Sequence, residues 1–214
     1  MTIKMRMKKK PAFPASEGSD KSYEALIRLW ILRLFVPLGG SRGFISSFGY
    51  SNDHLAHYLG LLPTNEQFDM KVAMTELRKQ HTQAERRRNS AALPETLARN
   101  IARYSELMGW SKADEAVIAF TVLMNTDPRL ESACFSIENV TTAKLIDLLS
   151  GVLDIDRDAM RNSVMPKSSL CESGFIKVDM STAHDLVNKL DMLSDETSDR
   201  LRYVDGDPFE LLRD

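Results

Sequence analysis

Apolar and polar positions along this chain recur mostly at helical spacing. "SYEALIRLWILRLFVPLGG" predicts a helix that Ser22 caps and whose positive end Glu24 favours. Leu26, Leu29, Trp30, Arg33 and Val36 follow that spacing. Ile27, Ile31, Leu34 and Phe35 widen the apolar surface, so burial on most sides is expected. Pro37 and the Gly39–Gly40 pair end it. "FISSFGYSNDHLAHYLGLLP" predicts a short helix, capped by Ser51 or Asn52 and closed by Gly60. Pro63 and Thr64 then open a longer helix with a stripe of Phe68, Val72 and Leu77. Arg86, Arg87 and Arg88 crowd its end, where cations suit the helix dipole.

"NSAALP" marks a boundary. A helix follows from Glu95 to Gly109, then another from Ser111, with Asp114 at its capping-box position and Glu115 beside it. "TDPRLESACFSIENV" reads as a connection with at most a short strand. "TTAKLIDLLSGVL" reads as a helix closed by Gly151, and "DRDAMRNSVM" as a short helix capped by Asp156. "SSLCESGFIKVD" is a turn at Gly174 feeding the strand "GFIKVD", in which Phe175, Ile176 and Val178 supply apolar contacts. "STAHDLVNKLDMLS" and "DETSDRLRY" read as helical. Helix, helix, turn, helix, strand is the order of a winged helix. The expected fold is therefore mainly α: a helical N-terminal bundle followed by a winged-helix-like domain with a small β-hairpin. The expected divisions are a disordered basic arm over 1–20, a helical module over 21–93, the winged-helix-like domain over 94–182 and a helical tail over 183–214.

Composition adds limits. At 43 % hydrophobic and 27 % charged residues, the 214-residue chain can build a packed core. The apolar run "LWILRLFVPL" is interrupted by Arg33 and Pro37 and is too short to span a membrane. No apolar segment follows the basic start "MTIKMRMKKK", so no secretory signal is expected. Cys134 and Cys171 make neither a disulfide framework nor a metal-ligand spacing, and a reduced, cytoplasmic protein is the simple reading. The net charge of −2 hides an asymmetry. Residues 1–90 hold 15 Lys/Arg against 8 Asp/Glu, and residues 171–214 hold 5 against 11. A basic front would suit an anionic partner, but solvated tails or helix faces at each end are the simpler explanation.

Several constellations fail on their own chemistry. Ala56 and Gly60 have helix-turn-helix spacing, but the apolar anchor position holds Glu66, and an ordinary helical hairpin is expected instead. Asp154, Asp156 and Asp158 open like a calcium loop, yet Ala159 replaces its glycine and Met165 its bidentate glutamate. His54 and His57 lie one turn apart without a third ligand, and His184 stands alone. Ser168, Ser169 and Cys171 lack a nucleophile elbow. "GGSRGF" follows a helix and has no lysine, so it is a loop and no phosphate cradle. No catalytic role is expected of these residues.

Taken together, "LIRLWILRLFVPLGG", "HLAHYLGL", "LARNIARYSELMGWSKADEAVIAF", "LLSGVLDIDRDAM" and "SSLCESGFIKVD" resemble the region ahead of the ATPase module in bacterial AAA-family ATPases. The resemblance runs from about residue 21 to 214. It rests on structural motifs: Trp110, Ser111 and Glu115 at a helix start, then Ser168, Leu170, Gly174, Phe175 and Ile176. It implies a helical segment and a winged-helix-like segment that bind a protein substrate or adaptor, with self-association through an ATPase ring. The family's Walker motifs and arginine finger are absent here, so ATP and magnesium would belong to a parent ATPase beyond "DGDPFELLRD". The alternative is a nucleic-acid-binding winged helix. Under either reading the candidate contacts are Arg86, Arg87, Arg88, Arg157, Arg161, Lys167 and Lys177.

Overall fold

The computed structural model describes residues 20–61, 68–180 and 183–208. The basic arm expected over 1–20 lies outside these, except that Asp20 begins the first helix. The expected helix start at Pro63 and Thr64, and the position of Glu66, also lie outside the described residues.

Helix α1 (Asp20–Phe35) starts two residues before the expected cap at Ser22. Ile27, Ile31, Leu32, Leu34 and Phe35 are wholly buried, as the all-round apolar pattern required. Gly39 adopts φ +81° beyond Pro37, and the Gly40 amide returns to the Leu34 carbonyl at 3.0 Å. Then come α2 (Ser41–Phe44), a hairpin of β1 (Ile45–Ser46) and β2 (Gly49–Tyr50), and α3 (Asp53–Tyr58). The Asn52 carboxamide caps α3. Helix α4 (Met70–Arg86) is capped by Asp69. A 3₁₀ turn (Arg88–Ser90) leads to α5 (Glu95–Met108), which ends on left-handed Gly109.

Helix α6 (Lys112–Thr126) has the expected capping box, with Ser111 and Asp114 reciprocally bonded. Next is α7 (Pro128–Phe135), where the sequence reads as a connection. Pro128 takes the first helical position and the Asp127 carboxylate accepts from the Arg129 and Leu130 amides. Helix α8 (Thr142–Leu153) runs through Gly151 instead of stopping there. A Cβ at that glycine would lie 2.8 Å from a Leu38 methyl, so Gly151 serves close packing and Asp154, at φ +57°, ends the helix. Then follow α9 (Arg157–Val164), α10 (Ser169–Glu172) and β3 (Ile176–Val178). The helix expected over "STAHDLVNKLDMLS" is corrected by β4 (Leu190–Met192), antiparallel to β3. Leu190 and Met192 face the core and Asp191 faces water, a strand alternation too short to outweigh the helical spacing around it. Helix α11 (Asp195–Tyr203) closes the described chain.

The fold is thus mainly α-helical with two small two-stranded antiparallel hairpins. No described helix is long and apolar enough to cross a membrane. Helix α1 packs on α4 before the boundary expected at 93/94 and on α7 and α8 after it. The buried apolar residues from Tyr23 to Leu201, Leu29 and Ala113 apart, form one contiguous cluster. Arg33 enters it as an ion: its Nε donates to Glu85 at 2.6 Å and its Nη1 to the Val152 carbonyl at 2.8 Å, tying α1 to α4 and α8. Residues 201–208 lie along α5, where Asn100 donates to the Leu201 and Val204 carbonyls and Tyr104 to that of Pro208.

Beside α1's first turns, Asp127 is 3 % exposed and accepts from the Tyr23 hydroxyl and, at 2.7 Å, from Arg129. Arg129 also donates to Glu24 and stacks over the Tyr58 ring, while Arg202 donates to the Tyr23 hydroxyl at 2.7 Å. Burial opposes ionisation of Asp127, but hydrogen bonds from Arg129 and Tyr23 outweigh it and hold its carboxyl below the ordinary range. A carboxyl depressed in the folded state stabilises the fold above its unfolded pKa, and loses that effect as pH falls through its folded pKa. Asp127→Asn is therefore expected to cost about 3 kcal/mol at pH 7, with the difference from wild type closing below about pH 4. Urea titrations from pH 2.5 to 7 check this; a pH-independent difference would contradict it.

Candidate functional site

The face that carries four of the candidate contacts is built from α8, the turn at residues 154–156, α9, α10 and the β3–β4 hairpin. Thr141 caps α8, and Asp156 caps α9 through the Asp158 and Ala159 amides. An isolated antiparallel bridge pairs Val140 with His184, so the segment entering α8 runs beside the one returning towards β4. Met160, Ser163 and Val164 turn α9 inward and leave Arg157, Asp158, Arg161 and Asn162 exposed.

Two devices hold this face on the rest of the protein. The first is Asp114, 4 % exposed at the start of α6. Its Oδ1 accepts from Ser163 of α9 at 2.5 Å, and its Oδ2 from the Ser111 amide at 2.8 Å and from Ser169 at 3.5 Å. One carboxylate thus caps a helix and anchors two others. The second is aromatic. Phe175, just before β3, meets Tyr104 edge-on at 4.8 Å between ring centroids and Trp110 at 5.2 Å.

The exposed cations are interleaved with carboxylates. Arg157 donates to Asp147 at 2.6 Å. Lys177 stands opposite Asp191 in the hairpin register. Arg161 and Lys167 are exposed, as are Asp154, Asp158 and Glu172. Leu193 lies 62 % exposed at the foot of the hairpin, where its amide donates to the Phe175 carbonyl. The arginine cluster at the end of α4 diverges. Arg88 reaches Asp154 at 3.4 Å, and so meets the turn between α8 and α9. Arg87 lines a cleft between α1 and α4, and Arg86 is exposed.

Other sequence candidates resolve into packing. His54 and His57 are exposed on α3, and no metal-binding group of three or more His, Cys, Asp or Glu exists among the described residues. Cys134 is wholly buried, and burial pushes its thiol far above the ordinary range, against nucleophilic use. In "GGSRGF", a Cβ on Gly43 would sit 2.2 Å from the Ser136 carbonyl, so that glycine lets α2 press on the end of α7. The network of Tyr23, Asp127, Arg129 and Arg202 went unread in the sequence. Its one local signal is Asp127-Pro128, a helix cap followed by a first-turn proline.

Because Asp114 serves the capping box and Ser163 at once, the two effects should couple. Asp114→Ala is expected to cost roughly 2–3 kcal/mol and Ser163→Ala about 1 kcal/mol. The double variant should cost less than their sum by at least ~0.5 kcal/mol. Urea unfolding of the four proteins measures this cycle, and additive losses would show that the buried bond carries no energy.

No family model matches this chain, and no curated protein or solved structure matches it either.

Proposed function

We propose that the chain is a recognition and regulatory module of an AAA-family ATPase. In this reading the winged-helix-like unit binds a protein substrate or adaptor, and the helical bundle behind it couples that event to an ATPase module and its ring. The ATPase context rests on the sequence resemblance, and the observation that favours a protein partner is the pairing of charges on the exposed face: Arg157 with Asp147 at 2.6 Å and Lys177 opposite Asp191. A duplex-binding face needs cations free to neutralise successive phosphates. Here the cations sit among carboxylates, with the exposed Leu193 beside them. Mixed charge around an apolar contact is the composition of a protein interface. Winged helices serve both uses, so the site carries the argument and the fold does not.

The test uses the natural reading frame extended past Asp214 and the triple reversal Arg161→Glu/Lys167→Glu/Lys177→Glu. The extended protein is expected to contain Gly-x-x-x-x-Gly-Lys-Ser/Thr and to hydrolyse ATP. The reversal should alter stimulation by a protein substrate and leave the basal rate unchanged. Duplex-DNA affinity, and its slope against salt, should be the same with and without the reversal. A frame lacking a nucleotide-binding module overturns the proposal. So does a salt slope that falls by ~0.9 per reversed cation, which would mark the nucleic-acid reading as correct.

A further inference from the structure

The face described above leaves one concave feature unused. Helices α1 and α4 part around a cleft of about 440 Å³, which the 3₁₀ turn after α4 closes at one end. The Ala92 amide donates to the Ser22 carbonyl there at 3.2 Å, pinning that turn to α1. The room exists because Ala25 of α1 and Ala84 of α4 line it with nothing larger than methyl groups. The volume is that of a small-molecule site.

Its charge is one-sided. Lys21, Arg28 and Arg87 line it, and no carboxylate does among the described residues. Glu24 is paired with Arg129 and Glu85 with Arg33, while Glu76 pairs with Lys79 and also accepts from the cleft-lining Gln80 at 2.8 Å. Among the described residues, then, none of the cleft's three cations pairs directly with a carboxylate.

Arg28 is also held in place. Its Nη1 donates to the Tyr58 carbonyl at 2.6 Å, and its Nη2 to the Leu59 carbonyl at 2.7 Å and to Gln80 at 2.7 Å. All three acceptors are neutral and fix the guanidinium without an ion pair, with the Glu76 carboxylate one step back behind Gln80. They use three of its five N–H groups and leave two. Its half-burial lowers its pKa through desolvation, which the neighbouring Tyr58 partly offsets. The Gln83 carboxamide adds a neutral donor at the α4 wall. A fixed arginine fork, two exposed cations and an amide donor, in a site of this size, match the several oxygens of a phosphate group.

We propose that the α1–α4 cleft binds a small, multiply charged anion of the diphosphate class, with Arg28 as the fixed contact and Lys21 and Arg87 closing on it. Of the three arginines crowded at the end of α4, Arg87 is the one this site uses. The inference does not depend on what the α9 and hairpin face binds.

The experiment is isothermal titration of the full chain with inorganic pyrophosphate at constant ionic strength. One saturable site is expected. Lys21→Gln/Arg87→Gln removes two exposed cations and should weaken binding at least ~tenfold, as loss of charge-assisted hydrogen bonds predicts. Ala84→Leu fills the cleft without changing any charge and should weaken binding by a similar factor. Circular dichroism of both variants confirms folding, and the double variant alone suffices if Ala84→Leu fails to fold. Absence of saturable binding overturns the proposal. Undiminished binding in folded variants also overturns it, because the anion would then sit on cations elsewhere, such as those of residues 1–10.

Discussion

Helix α1 has almost no side to give to water, and the rest of the structure is arranged to supply it with neighbours. Five of its apolar residues, Ile27, Ile31, Leu32, Leu34 and Phe35, are wholly buried. One helix cannot hide such a surface against one partner. It takes α4 on one side and α7 and α8 on others, with Trp30 against Phe120 of α6 at 5.4 Å between ring centroids. Residues before and after the "NSAALP" boundary therefore share one apolar cluster. The covalent order suggests successive modules; the demand of α1 for cover draws them onto the same core.

The charged groups that enter this core are hydrogen-bonded, whereas the buried Trp110 indole N–H has no partner among the described residues, and these commitments decide what is left for function. Arg33 is bound by Glu85 and the Val152 carbonyl, Asp127 by Tyr23 and Arg129, and Asp114 by Ser111 and Ser163. The bonds of Arg33 to Glu85 and Val152, of Tyr23 to Asp127 and of Ser163 to Asp114 join elements far apart in sequence and set where an element may sit. Asp114 in particular fixes α9 relative to α6, so the exposed row of Arg157 and Arg161 is presented on a rigid backing. With Glu24 and Glu85 bound to Arg129 and Arg33, no carboxylate lines the cleft between α1 and α4 among the described residues. One economy of charge thus yields a balanced face at α9 and a positive cleft at α1.

Much of the helical order was legible in the sequence, because its signals are local. The capping box at Ser111, the Asp156 cap and the glycine after Met108 each act within a turn, and each is found in place. The strand after Gly174 was legible for the same reason. Its partner β4 was not, since three alternating residues beside a buried Lys189 do not stand out from helical spacing. Gly151 was misread because its reason is Leu38, more than a hundred residues away. Helix α7 was not legible, because Pro128 fits a connection as readily as the first turn of a helix. The candidate cations were visible as residue types, but their partners were not. Only folding sets Arg88 on Asp154, Arg157 on Asp147 and Arg87 beside Lys21 and Arg28.

If α1 truly binds both parts into one core, they must lose structure together. The two tryptophans report from opposite sides of the boundary: Trp30 on α1 and Trp110 against Phe175 near the hairpin, both buried. Urea unfolding of Trp30→Phe and Trp110→Phe, each followed by its remaining tryptophan's fluorescence and by far-ultraviolet circular dichroism, tests this directly. Within each variant the two signals should give the same midpoint, as a single cooperative transition requires. A fluorescence midpoint that separates from the circular dichroism midpoint would mean the two parts unfold independently, and would contradict the shared core.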